Sequence, residues 1–241
     1  MIAKTAAVIE SGGVLAELVC APPLTLRQVH SDVRGRCELC LVGTAAGPLA
    51  DDDLSMSLQL RAGARATLRA AGASLAQGGR DGLGAATLSI YAELADGSDL
   101  VADPGALIVC QGGRVDVHVE VALGQGAAVQ WRELIVLGRT GEPAGAATLR
   151  WDVTRVGRPV LRQFVDLADP VLTGWAGLAA HRRVLACALL ADPASTPRTV
   201  VASPTSVAQR VDDQTLLITV LSDDAADASQ ELDDLCVRAR A

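Results

Sequence analysis

Period-two alternation of apolar and polar residues dominates the chain. Leu54, Met56, Leu58 and Leu60 alternate with Ser55, Ser57, Gln59 and Arg61, so a strand over this segment carries four apolar side chains on one face and four polar ones on the other. Taken alone, the pattern predicts a half-buried antiparallel strand. Val115, Val117, Val119 and Val121 repeat it, as do Ala127, Val129 and Trp131, then Leu149, Trp151 and Val153. "LRQFVDL" at 161–167 and "TLLITVL" at 215–221 add two further strands, punctuated by Gly157, Pro159 and Pro170.

The turns between these strands also recur. "LRAGA" at 60–64, "LADGS" at 94–98 and "LGQGA" at 123–127 each close a strand with Leu and place Gly three residues later, at spacings of 34 and 29 residues. The repeat predicts a strand, a turn at Gly63, Gly97 or Gly126 where positive φ is needed, and a return strand, stacked along the molecule. Helical signal is confined to two late segments. "GWAGLAAHRRVLACALLAD" at 174–192 is rich in Ala and Leu, and "DDAADASQELDDLCVRARA" at 223–241 opens with acids and closes with Arg238 and Arg240, the order a helix dipole favours. The expected fold is therefore mainly β with about two C-terminal helices, in one domain spanning 1–241.

Composition narrows the function more than the fold. Half of the 241 residues are apolar but only 2% are aromatic, so Ala, Val and Leu must fill the core. A net charge of -7 without a basic block argues against nucleic acid and anionic membrane as partners. No apolar run approaches the roughly 18 residues of a membrane helix, and Glu10 interrupts the segment after Lys4 before a signal-like core develops. Six cysteines are too sparse for a disulfide scaffold and read as reduced thiols. A cytoplasmic location is expected.

The candidate chemistry is thin. Asp51, Asp52 and Asp53 lack the EF-hand spacing, and neighbours on a strand face opposite ways, so a solvated turn is favoured over a cation site. Cys37 and Cys40 form a lone CxxC with strand on both sides, which reads as two small core or edge residues; a metal or redox pair is the sharper alternative. "GASLA" at 72–76 misses the nucleophile elbow, and "GQGAAV" at 124–129 leads into a strand where a dinucleotide loop needs a helix. His30, His118 and His181 are scattered without metal-ligand spacing. No catalytic constellation emerges, which points to a binding or assembly protein and away from an enzyme.

Several segments, in order, resemble one family. "AGPLADDDLSMSLQLRAGARATLRAAGAS" at 46–74, Asp103-Pro104, "GGRVDVHVEVALGQGAAVQWRELIVLGRTGE" at 112–142, "RPVLRQFVDL" at 158–167 and "GLAAHRRVLACALLA" at 177–191 are similar to the urease accessory proteins of the UreD (UreH) family. The resemblance is strongest over 24–191. It departs from the family pattern at Ala50 and Asp51, where glycines are usual, at Arg69 and Ala70, where threonines are, and at Leu75 and Gln77, where Lys and Tyr often stand; the chain looks like a divergent member.

The resemblance implies a two-layer, β-helix-like stack of strands and a non-catalytic scaffold. Such a scaffold docks on apo-urease with UreF-type and UreG-type partners while nickel is delivered. It further implies an interior passage for nickel, for which inward carboxylates such as Asp52 and Glu133 would suit, with no tightly bound cofactor because a tight site does not release its ion. For both carboxylates an ordinary structural role stays open: accepting backbone N–H groups, or pairing with a base such as Arg139. Gly63, Gly138 and Arg139 are the further structural or partner residues; the expected 174–192 helix, with His181, Arg182 and Arg183, either docks an acidic partner or simply packs on its own sheet. The competing readings are a generic β-rich interaction module, and a thiol- or metal-dependent enzyme using Cys37 and Cys40.

Overall fold

The alternating segments fold as strands, and their apolar faces meet in one layer between two sheets. The computed structural model describes residues 1–79, 84–168 and 182–239. Among these, a seven-stranded sheet runs in the order β14-β13-β11-β8-β5-β1-β2. Its inner strands are β1 (Ile2–Glu10), β5 (Asp53–Leu60), β8 (Ala86–Leu94), β11 (Arg114–Leu123) and β13 (Ala146–Arg155), with β2 (Val14–Val19) and β14 (Arg158–Asp166) at the edges.

The inner five strands pair in parallel, and only the edges β2 and β14 pair antiparallel. The antiparallel pairing expected for Leu54–Leu60 is thereby corrected. Alternation reports which face is buried; it carries no information on the direction of the neighbour. The repeat in the turns sets that direction. Leu60 pairs with Leu94 and Leu94 with Leu123, so the 34- and 29-residue spacings are the lengths of successive coils. Gly63, Gly97 and Gly126 have φ of 67°, 65° and 67°. Gly63 N–H donates to Asp96 O and Gly97 N–H to Gln125 O, both at 2.9 Å, which continues the ladder through the turns.

The second sheet has eleven strands. Its main path is β16 (Val200–Ser203), β17 (Ser206–Asp212), β18 (Thr215–Ser222), β15 (Val184–Ala191), β12 (Ala128–Leu137), β9 (Asp99–Asp103), β6 (Arg65–Ala70), β4 (Cys37–Gly43) and β3 (Leu24–Val29). Two short strands, β7 (Ser74–Ala76) and β10 (Ala106–Val109), leave that path at β12. Leu is the commonest residue of the inner layer, ahead of Ala and Val, and the fully buried Trp131 and Trp151 are its largest side chains.

The 174–192 helix is overturned in its second half, because Val184–Ala191 is a strand buried along its whole length. Leu185, Cys187, Leu189 and Ala191 face the inner layer, while Val184, Ala186, Ala188 and Leu190 pack under the C-terminal helix α1 (Ala225–Arg238). A strand covered on both faces reads as an unbroken apolar run, which periodicity does not separate from a buried helix. Residues 174–181, His181 included, lie outside the described residues. The last expected helix is present as α1, capped by Asp224, whose Oδ1 accepts N–H groups from Ala226 at 2.7 Å and Asp227 at 3.1 Å. No helix among the described residues is long and apolar enough to cross a membrane.

Candidate functional site: a fork in the larger sheet

Strand β12 has two partners on one side. Ala128–Trp131 pair with β9, whereas Leu134–Leu137 pair with β10. Pro104 and Gly105 separate β9 from β10. Pro104 has no N–H to give the ladder, and Gly105 turns at φ 81° where a Cβ would meet that of Ala70 at 2.7 Å. The sheet therefore splits into a β9-β6-β4-β3 branch and a β10-β7 branch.

Glu133 sits at the fork. It follows Val129 and Trp131 and precedes Ile135 and Leu137 on the inward face of β12, and it is 5% exposed. Its Oε1 accepts the indole N–H of Trp131 at 2.7 Å, two residues back on the same face. Burial pushes the Glu133 carboxyl up to about 8, against the pull of the indole bond, so the neutral form dominates at neutral pH. Across the ladder it faces Cys187, whose thiol burial pushes up to about 12.

A cavity of about 30 Å³ adjoins Glu133, lined by Leu24, Leu41, Met56, Ile90 and Leu107 with Ser74 and the Pro104-Gly105 bend. Such a space admits one or two waters. Glu133 is the one ionisable side chain among its described lining residues. A second, surface-open cleft of about 290 Å³ lies between Pro23, Gly43 and Gly47 on one side and Ser74 and Gln77 on the other.

Asp52 stands behind this cleft, 5% exposed. A Cβ on Gly47 would lie 3.6 Å from its Oδ2. That oxygen accepts the Leu49 N–H at 2.9 Å, and Oδ1 lies 2.6 Å from the amino group of Met1. The carboxylate thus closes the turn that begins β5, while Asp51 (φ 65°) and Asp53 are exposed. Asp52 and Glu133 do not meet: one backs the larger cleft, the other ends the smaller cavity.

The remaining residues separate into structural roles. Arg139 reaches neither carboxylate and forks onto Glu142, with Nε–Oε2 at 3.0 Å and Nη2–Oε1 at 2.8 Å, while its own N–H also donates to Oε2. Those bonds hold the Glu142 carboxyl down to about 2. Gly138 turns at φ 85°, where a Cβ would lie 2.7 Å from Pro143 O. Arg182 is half-buried before β15, and Arg183 donates to Glu142 O at 2.6 Å. Cys37 is buried and Cys40 half-buried, on opposite faces of β4. No group of three or more His, Cys, Asp or Glu poised to hold a metal occurs among the described residues.

With the geometry in view, the comparisons with known proteins agree on one family. The UreD urease accessory protein family matches residues 5–241. The chain belongs to that family. A urease accessory protein UreD 1 of Saccharopolyspora erythraea is 36% identical over 191 residues, 76% of this chain and 73% of its own length. A urease accessory protein UreD 3 of Streptomyces griseus is 32% identical over 222 residues, covering 89% and 86%. A urease accessory protein UreD of a Parafrankia species is 32% identical, covering 94% and 84%.

Sequence reasoning named Glu133 and missed what surrounds it. Trp131 and Met56 read as ordinary apolar positions of their strands and Cys187 as one of six thiols, while Leu24 was not singled out. One signal was present: Glu133 is the single charged residue on the apolar face running from Val129 to Leu137.

Proposed function

We propose that this protein is a non-catalytic scaffold of urease maturation. It docks on apo-urease together with UreF-type and UreG-type partners and helps deliver nickel, with Glu133 as the interior carboxyl past which the ion travels. The observation that carries the reading is the pairing of family membership with the fork, where an apolar cavity ends on a single buried carboxyl held by one indole bond. Nickel is cargo here. Transit calls for few, replaceable ligands, and one carboxyl with no cluster around it suits release better than retention. Asp52 shapes the mouth by bonding the turn, so its part in transit is indirect.

The docking half of the reading is supported by the outer face of the seven-stranded sheet. The one Tyr and the one Phe of the chain, Tyr91 and Phe164, both lie on that face, 40% and 63% exposed. Exposed aromatics on an open sheet face suit a protein partner. The same observation favours the second reading, a generic interaction module with a partner unrelated to urease. Co-expression of the tagged chain with urease subunits and both partner types separates the two. Co-purification together with urease activity that depends on this chain supports the scaffold, and neither appearing leaves the generic module.

A further inference from the structure

The surface cleft and the Glu133 cavity share a wall. Leu24 and Ser74 line both. The backbone of Leu24 is fixed: it pairs with Gly43 in the β3–β4 ladder, its carbonyl accepts the Thr5 hydroxyl, and Pro23 precedes it. Its side chain is buried, at 7% exposure, and belongs to the inner core. Directly paired residues share a face, and at Gly43 an added Cβ would meet nothing within 4 Å. Open space therefore lies beside the Leu24 side chain, toward the cleft. A rotamer change into that space takes Leu24 out of the core, so the closed arrangement is the major state and the open one the minor state.

We infer that Leu24 is a gate: its side chain closes the cleft from the Glu133 cavity and opens the way when it swings over Gly43. The inference draws its purpose from the nickel-transit reading but stands on the shared wall and the vacant space at Gly43. It also names the state of the cargo. A space for one or two waters admits a divalent cation only after most of its hydration shell is lost.

The test measures access without nickel or urease. Glu133→Cys puts a thiol in the cavity, and methyl methanethiosulfonate, a small neutral reagent, reports its exposure through peptide mass mapping. Adding Leu24→Ala is expected to speed labelling at position 133 by at least about tenfold, because labelling follows the open fraction. Adding Gly43→Val, which fills the swing space at a position without positive φ, is expected to slow it below the parent. Buried Cys110, outside the cavity lining, serves as the internal control and should not change. Should Leu24→Ala fail to fold, Leu24→Val and Gly43→Val carry the test in opposite directions.

Equal rates at position 133 in all variants, or acceleration of Cys110 in step with it, would overturn the gate. Urease activation in Gly43→Val alone then separates the two ideas. Slowed labelling with unchanged activation keeps the gate and removes nickel transit; reduced activation with unchanged labelling does the reverse.

Discussion

Asp52 and Glu133 are buried to the same extent, yet they belong to different kinds of surroundings. Asp52 has a backbone N–H on one oxygen and an amino group beside the other, so its charge is compensated where it sits and the turn depends on it. Glu133 has one indole N–H and apolar neighbours, and its carboxyl is pushed up to about 8. Equal burial thus conceals opposite designs. A well-bonded carboxylate holds structure, and a sparsely bonded one is kept at a cost to stability that a purely structural residue would not carry.

The largest expected effect tests that cost. The Glu133 carboxyl binds its proton more tightly in the folded chain, at about 8 against 4.5, so raising pH through that window favours the unfolded parent. Glu133→Gln removes the titration and keeps an acceptor for Trp131. The variant should gain on the parent at roughly 1 kcal/mol per pH unit across the window and match it below, as urea unfolding at several pH values will read. No pH-dependent gap would contradict the sparsely bonded reading of Glu133. Next in size, Asp52→Ala leaves the Leu49 N–H without its acceptor and should lose about 1–3 kcal/mol, with Asp52→Asn recovering part of it in the same unfolding measurement.

Two smaller effects sharpen the contrast by probing neither end of the fork. Gly63→Ala forces a side chain into the left-handed turn of the stack and should lose about 1–2 kcal/mol, visible as a lower urea midpoint. Arg139→Ala should lower the urea midpoint slightly at neutral pH and by less at acid pH, because the Glu142 carboxyl that it holds down to about 2 rises toward 4.5 in an NMR titration.

The fold was legible where each coil is half-buried and repeats. Alternation marked β5, β11, β12 and β13, and the Leu-x-x-Gly turns carried the coil length and with it the stacking. It was not legible at Val184–Ala191, where burial on both faces erases the period. Strand direction was equally hidden, because parallel and antiparallel neighbours bury the same face. For the site, Glu133 was named through the family resemblance, while the alternation reading stopped at Trp131, one step short of showing it as a charge on an apolar face. The fork at Pro104-Gly105 and the wall at Leu24 arise from pairing between residues 19 or more positions apart, which no local pattern encodes.

The central claim is that the Glu133 carboxyl serves nickel delivery while Asp52 serves the fold. The direct measurement is nickel-dependent urease activity in cells co-expressing the enzyme and its accessory partners, with Glu133→Gln and Asp52→Asn compared at matched amounts of folded protein. The account predicts a loss of at least about tenfold for Glu133→Gln and less than about twofold for Asp52→Asn. Full activation by Glu133→Gln, or equal losses for the two, would contradict it.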